Sequence, residues 1–461
     1  MIGLIKEAEQ HLSGWGNMAG ERSRVFRPER VGELCDAVRA GEGSFISRGL
    51  GRSYGDAAVN ADGVVSHLRL NRFLAFDEVR GIVECEAGVT FEELIRVGLP
   101  RGFFPAVTPG TKYVTVGGAI AADLHGKNHH VDGSFAGCLI DFRLLTASGE
   151  TLRCSREVNP QLFWATLGGM GLTGAIVDAR FRLRRVGSAY VNVDYRRTAD
   201  LDESLTAFAE GDAGYDYSVA WIDCLSRGRS LGRSVLMRGN HAPADEVPHV
   251  TEPLATPPRR HKRVPCFLPN FVLNSWSVRA FNTLYYHRHG DRRAVVDYDT
   301  FFYPLDAVAH WNRIYGRRGF LQYQAAFPAQ TSRSGLIALL EGLAASRQAS
   351  FLAVLKTFGP ANDGLLSFPM AGSTLAVDLP NTGPAVMGLL DELDRVVIEH
   401  GGRVYLAKDV RLARHSFEAM YPRADEFRRI KAAFDPEGRF DSALARRLGL
   451  SHTAKQQRAA A

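Results

Sequence analysis

PGTKYVTVGGAIAADLHGKNHH (109–130) sets Gly110, Gly117 and Gly118 ahead of a run of small residues that ends in His125, Lys127, His129 and His130. Small side chains let a flat ligand lie against backbone, and the polar cluster that follows offers partners to its reactive edge. Two other readings compete. Histidines spaced H-x-x-x-H-H could share a helical face as metal ligands do, but Gly126 interrupts such a helix, and no nearby cysteine or paired carboxylate completes a set. The histidines could also be purely structural. No metal is expected.

About 60 residues upstream, SRGLGRSYGD (47–56) packs three glycines and two arginines with no acidic residue before Asp56. Glycines let the chain turn sharply and approach a ligand, and bare N–H groups beside arginine make an anion site. The loop lacks the Gly-Lys-Ser/Thr of a Walker motif, and alone it reads equally well as a tight turn. GMGLTG (169–174) matches G-x-G-x-x-G but in the wrong setting. QLFWATLG before it reads as helix and AIVDARFRL after it as strand, the reverse of a dinucleotide fingerprint.

The surrounding chain reads as α+β. GVVSHLRL (63–70) and GIVECEAG (81–88) have strand character, TFEELIRVGL (90–99) opens a helix with a Thr90/Glu93 capping box, FRLLTASGETL (142–152) reads as a hairpin, and GAIVDARFRLRRV (174–186) as a long strand. Beyond 187 glycine clusters thin and aromatics rise. We expect residues 1–186 to form one domain, completed by 403–461, and 187–402 a second. Residues 243–269 hold seven prolines and the basic run RRHKR (259–263), the pattern of a mobile loop. Phe427, Ile430 and Phe434 are at helical spacing, closed by Asp435-Pro436.

At 461 residues, with 45% apolar and 23% charged residues, the chain has the composition of a globular protein of at least two domains. No apolar run has membrane-helix length, and Lys6, Glu7 and Glu9 occupy the place of a signal-peptide core, so a cytoplasmic location is expected. Six scattered cysteines without a C-x-x-C pair read as reduced thiols. A net charge of +6 suits a phosphate-bearing ligand or an anionic membrane surface, and no nucleic-acid signature accompanies it.

The two glycine clusters together with GGMGLTG resemble the FAD-binding domain of the vanillyl-alcohol-oxidase (p-cresol methylhydroxylase) flavoproteins. The resemblance implies that the first loop wraps the FAD diphosphate and the second segment runs to the isoalloxazine. Covalent members carry histidine in a G-x-G-H-S pattern. Here Arg52 stands in that place, which implies non-covalent FAD.

RGLGRSYGD, TVGGAIAADLHGKNHH, LFWATLGGMGLTG, GFLQYQ, KTFGP, GGRVYLAKD and MYPRADEF follow in an order similar to the decaprenylphosphoryl-β-D-ribose 2′-oxidase family, from LSGWG (12–16) to DSALARRLGL (441–450). The resemblance puts FAD contacts on Ser47, Arg48, Gly49, Leu50, Gly51, Arg52, Ser53, Tyr54, Gly55, Asp56 and Ala57. It adds Gly110, Thr115, Val116, Gly117, Gly118, Ala122, Asp123, Leu124, His125, Ile176 and Tyr405. Substrate contacts fall on Lys127, Trp221, Gln322, Gln324, Lys356 and Lys408. Three lysines suit a sugar phosphodiester, and Gln322 and Gln324 alternate on a strand, so they share a face; a merely polar strand face is the plain alternative.

The implied reaction is oxidation of the ribose 2′-hydroxyl of a polyprenyl-phosphoryl ribose. Lys408 is the candidate partner of that hydroxyl, and His125 organises the flavin edge. An NAD(P)H-dependent short-chain reductase would complete epimerisation to the arabinose donor, a cell-envelope precursor, and peripheral contact with the inner face of the plasma membrane would follow from a lipid substrate. An alditol- or aldonolactone-type oxidase of soluble sugars is the alternative. Mycobacterial members have cysteine before V-D-F-P, asparagine two residues earlier, and tyrosine in F-Y-H-P. Here those places are Ala376, Thr374 and Phe302, which leaves prenyl length and sugar open.

Overall fold

The computed structural model describes residues 7–18, 20–40, 42–247, 250–255, 262–269, 273–346, 348 and 350–451. Its frame is α+β, with three main sheets. The first runs β1 (Glu7–Leu12), β2 (Glu21–Phe26), β3 (Ile46–Arg48) and β4 (Val64–Ser66) in the order β1-β2-β4-β3, with β4 parallel to both neighbours.

The second is antiparallel. It contains β5 (Phe73–Asp77), β6 (Ile82–Glu86), β7 (Phe103–Pro105), β8 (Leu139–Leu145), β9 (Thr151–Ser155) and β10 (Ala175–Arg185), ordered β5-β6-β10-β8-β9 with β7 also on β10. Between β6 and β7 the Phe91–Gly98 helix starts as the sequence dictates. Thr90 Oγ1 accepts from the Glu93 N–H at 3.2 Å, and Glu93 Oε2 accepts from the Thr90 N–H at 2.8 Å.

The third sheet is built from β11 (Tyr190–Thr198), β12 (Tyr217–Ile222) and β13 (Ser234–His241), and from five later strands. A short parallel pair, β14 (Lys262–Arg263) and β16 (Val308–Ala309), stands apart from it, with β15 (Arg292–Asp297) between them in sequence. Then come β17 (Phe320–Pro328), β18 (Ala353–Phe358), β19 (Gly372–Pro380) and β20 (Arg403–Val404). The order is β15-β11-β13-β12-β18-β19-β17-β20, antiparallel throughout.

Strand alternation gives this sheet two faces. Leu321, Tyr323, Ala325 and Phe327 on β17, Leu355 on β18, and Leu375, Val377 and Leu379 on β19 are buried with Leu336, Leu339, Leu340, Leu390, Leu393 and Val397. Those partners belong to the helices Ser332–Ser346 and Pro384–Glu399, whose apolar stripes cover that face. The intervening residues Trp221, Gln322, Gln324, Val354, Lys356 and Ala376 line a cavity on the opposite face.

The hairpin over 142–152 forms as β8–β9, and the helix Ala424–Phe434 ends at Asp435. GVVSHLRL yields only the three residues of β4. After Ser66 the chain turns, the His67 carbonyl accepting from the Leu70 N–H at 2.9 Å, and Gly88 packs so closely on that carbonyl that a Cβ there would lie 2.0 Å from the oxygen. Of the Pro-rich stretch, residues 248–249 and 256–261 lie outside the described residues, and with them Arg259, Arg260 and His261 of RRHKR; Lys262 and Arg263 form β14 instead of loop.

Candidate active site

A cavity of ≈ 410 Å³ opens between the first two sheets and the polar face of the third. One end is the glycine loop that follows β3. Arg48 staples this loop, donating to the Ala58 and Ser13 carbonyls at 2.9 and 2.7 Å. Gly51 takes φ = 65°, and Gly49 lies where a Cβ would be 2.3 Å from Thr115 Oγ1. Among the described residues nothing accepts from the N–H groups of Leu50, Gly51, Arg52 and Ser53. A run of free N–H groups facing an apolar-walled cleft is a cradle for an anion.

The Arg52 guanidinium stacks on Trp15, 3.9 Å from its ring centroid, and its buried Nε has no partner among the described residues. Burial holds its proton affinity below the ordinary arginine range. The second glycine segment lies alongside, with Thr115 capping the short Val116–Ala121 helix through the Gly118 N–H. A Cβ on Gly117 would lie 2.9 Å from that of Ala87, and both residues line the cavity. GMGLTG contributes wall through Met170, Gly171 and Gly174, all at positive φ, between helix and strand as its sequence setting requires. This wall of exposed backbone beside an anion cradle fits an elongated, flat, diphosphate-bearing cofactor.

Four of the expected cofactor residues stand behind the wall, not in it. Gly55 is pressed against Asp409, where a Cβ would lie 2.0 Å from the carbonyl oxygen. Asp56 takes a bidentate pair from Arg447 at 2.7 and 3.0 Å. Val116 is in the apolar core beneath the second sheet. Asp123, at φ = 39°, accepts from Ser367 Oγ and from Asn362 Nδ2, the latter at 2.6 Å. The other expected cofactor residues and all six expected substrate residues line the cavity.

His125 is at the junction of the two halves. Its ring packs among Phe358, Phe368 and Tyr405 at 4.8, 5.7 and 5.4 Å between centroids. A hydrogen-bond chain fixes its tautomer. The Thr374 hydroxyl donates to the Ala325 carbonyl at 2.8 Å, so it accepts from Gln324 Nε2 at 3.3 Å. The same amide nitrogen lies 3.2 Å from His125 Nε2, which must therefore accept, and the proton resides on Nδ1. Burial, then Lys356, His129 and Lys408, hold His125 well below its ordinary pKa, so the ring is neutral. His129 and His130 are occupied elsewhere, by the Gly359 N–H at 3.1 Å and the Tyr215 carbonyl at 3.0 Å.

Three lysines reach the substrate half from separate segments. Burial lowers Lys408 and Lys127 to about 7 and Lys356 to about 8. Lys127 donates to the Phe301 carbonyl and lies 4.3 Å from that ring's centroid. Trp221 donates to the Phe351 carbonyl at 3.1 Å and meets Tyr285 at 4.6 Å. Of the departures, Ala376 and Phe302 line the cavity, whereas Tyr303 turns into the core and bonds Thr108 Oγ1 at 2.6 Å, so it does not replace the missing tyrosine.

Several lining residues carried no signal in the sequence. His67 reads as part of a strand, yet it lines the cavity and bonds Ser47 Oγ at 3.0 Å. Tyr285 comes from a segment without a motif, and Trp15, although it belongs to LSGWG, had no role assigned to it.

Fold and site together define a flavoprotein oxidoreductase of the vanillyl-alcohol-oxidase type. The comparisons agree. A model described as "FAD binding domain" matches residues 23–155, and one described as "D-arabinono-1,4-lactone oxidase" matches 384–448. A decaprenylphosphoryl-β-D-ribose oxidase of Mycolicibacterium smegmatis is 40% identical over 96% of this chain and 98% of its own length. An uncharacterized protein in the mprA 5′ region of Streptomyces coelicolor is 36% identical over 78% of this chain and all of its own length. Cytokinin dehydrogenase 2 of Arabidopsis thaliana is 26% identical over 41% of this chain and 38% of its own. The chain belongs to the decaprenylphosphoryl-β-D-ribose oxidase family; it is an FAD-dependent oxidoreductase acting on a CH–OH group.

Proposed function

We propose that this chain oxidises the 2′-hydroxyl of a polyprenyl-phosphoryl-β-D-ribose to the 2′-keto sugar. The observation that carries the reading is the set of three half-buried lysines, brought from separate segments to the cavity that Gln322 and Gln324 also line. A buried cavity with this much potential positive charge needs an anionic ligand, and a phosphodiester supplies it. Bound FAD supplies the acceptor for the carbinol hydride.

In this reading residues 47–57, 110–125, Ile176 and Tyr405 hold non-covalent FAD, with Gly55, Asp56, Val116 and Asp123 supporting the wall from behind. His125 offers its Nδ1 proton to the bound cofactor. Lys127 and Lys356 neutralise the phosphodiester, Gln322 and Gln324 hold ribose hydroxyls, and Trp221 packs on the sugar or prenyl portion. Lys408 takes the 2′-hydroxyl proton, for which an amine held near 7 is suited. Residues 1–186 with 403–461 would form the cofactor domain, a division supported by Phe45 pairing with Phe440 and Asp56 with Arg447. Residues 187–402 would form the substrate domain.

A reductase of the NAD(P)H-dependent short-chain class would complete the epimerisation. Peripheral membrane contact at the inner face of the plasma membrane fits the helix Ser275–Arg288. It exposes Trp276, Phe281 and Leu284 beside Arg279 and Arg288, has no acidic residue, and lends Tyr285 to the cavity. No helix among the described residues is long and apolar enough to cross a membrane.

Anaerobic titration of the yellow protein with a short-chain polyprenyl-phosphoryl ribose tests the reading. Bleaching of the flavin absorbance that saturates near one equivalent is expected. Bleaching by free alditols or aldonolactones alone would replace the lipid phosphate with a soluble sugar, the class the match over 384–448 favours.

A further inference from the structure

Asp378 is fully buried on β19, opposite Gln322 of β17 in the strand register. It lies on the strand face that two residues earlier presents Ala376 to the cavity, but it does not reach the cavity itself. Gln322 Nε2 donates to Asp378 Oδ1 and also, at 3.2 Å, to Tyr54 Oη. The second oxygen, Oδ2, is buried with no hydrogen-bond partner among the described residues. A fully buried carboxylate with one oxygen unpaired is costly to keep, and a structural strand residue has no need of one.

The groups around it show what the charge acts on. Lys408 Nζ lies 4.1 Å from the centroid of the Tyr54 ring, and the Tyr54 hydroxyl shares the Gln322 amide with Asp378, so the ammonium and the carboxylate flank one hydrogen-bonded pair. Lys408, Tyr54 and Tyr315 feel the Asp378 carboxylate. Burial pushes both phenols well above their ordinary range, so neither carries charge near neutral pH. Around Lys408 are Asp378, the cationic Lys356, and His125, which is neutral. Asp378 is therefore the anion that opposes both burial and Lys356 in deciding whether Lys408 carries a proton. Asp378 is itself raised to about 7 by burial, so the two groups exchange protons over one pH range.

We propose that Asp378 is the positioning residue of Lys408: its carboxylate, held under the cavity floor by Gln322, sets how readily the Lys408 amine takes up and releases a proton. The role of Lys408 as acceptor of the substrate proton rests on the function proposed above, but the hold of Asp378 on Lys408 does not.

The test is Asp378→Asn in the FAD-loaded protein, a change that keeps the shape and removes the charge. The decisive readout is the pH midpoint for labelling of Lys408 by an amine-reactive reagent, followed by peptide mass spectrometry. Loss of a nearby negative charge lowers that midpoint by about one pH unit or more. The acid limb of the anaerobic flavin-reduction rate should move down by the same amount. A labelling midpoint equal to wild type overturns the proposal, whatever happens to the rate. A shifted labelling midpoint with an unshifted rate profile upholds the Asp378–Lys408 link and removes Lys408 as the base. Should Asp378→Asn not accumulate as yellow protein, Asp378→Ser takes its place under the same criteria.

Discussion

The Lys408 ammonium nitrogen lies 4.1 Å from the ring centroid of Tyr54. Tyr54 ends the loop that carries the free N–H groups, and its own N–H donates to the Ala407 carbonyl at 3.0 Å. The segment that holds the proposed base is thus fastened to the segment that cradles the cofactor, so substrate and cofactor are aligned through one short backbone link.

That link makes Lys408→Ala informative. Among the described residues the side chain makes no hydrogen bond that builds the loop, so the variant should purify yellow with an unchanged flavin spectrum. The limiting rate of anaerobic reduction by substrate should fall roughly 10²- to 10⁴-fold, the usual contribution of a positioned acid or base. A wild-type rate would remove Lys408 from the chemistry.

Rate and affinity should respond oppositely to pH. Lys408 acts as a base only when neutral, so reduction should speed up as pH rises through about 7. Lys127 and Lys356 hold a phosphodiester best when protonated, and burial lowers them to about 7 and about 8. Affinity should therefore fall as pH rises past these values, and binding should take up protons at pH 8. Calorimetry in two buffers of different ionisation enthalpy measures that uptake; identical heats would show that the lysines were already charged.

The sequence was most legible where backbone chemistry is local. The capping box at Thr90, the hairpin over 142–152 and the reversed setting of GMGLTG each follow from residues only a few positions apart. The two faces of the third sheet were half legible: Gln322 and Gln324 could be put on one side by alternation, but not what they face. Asp378 could not be found in this way, because its importance comes from Gln322 in a neighbouring strand and from Lys408, which no local pattern connects. The overextended cofactor stretch has a similar cause. Gly55 and Asp56 continue the loop in sequence, but Asp409 and Arg447, contributed by the distant C-terminal segment, draw them away from the cavity.

Arg52→His tests how the cofactor is attached. Arg52 rests on Trp15 and, among the described residues, makes no ion pair that closes the loop. A histidine there should leave FAD bound, and any covalent attachment would appear as flavin that stays with the protein after acid precipitation. Complete loss of FAD would show that the guanidinium itself holds the cofactor.

Trp276→Ser with Leu284→Ser tests the exposed helix. Trp276 is 79% and Leu284 66% exposed, on a helix with basic and no acidic side chains. Binding to vesicles containing anionic lipid should drop at least severalfold, with the flavin spectrum and turnover of a soluble short-chain substrate unchanged. Equal flotation of variant and parent would exclude this face as a membrane contact.

Lys356→Met should make the protein more stable while weakening phosphodiester binding. Burial lowers the Lys356 amine from 10.5 to about 8, so the unfolded chain binds more protons than the folded one between these values. Stability contributed at this site therefore rises with pH across that window, and below about 8 the full penalty is present. The gap corresponds to about 3 kcal/mol. Methionine removes the buried amine at similar volume, so the thermal midpoint should rise by several degrees at pH 7, with the gain shrinking towards pH 10. An unchanged midpoint at pH 7 would mean that Lys356 is charged and solvated in the free protein, and the argument for an anionic substrate would lose one of its three lysines.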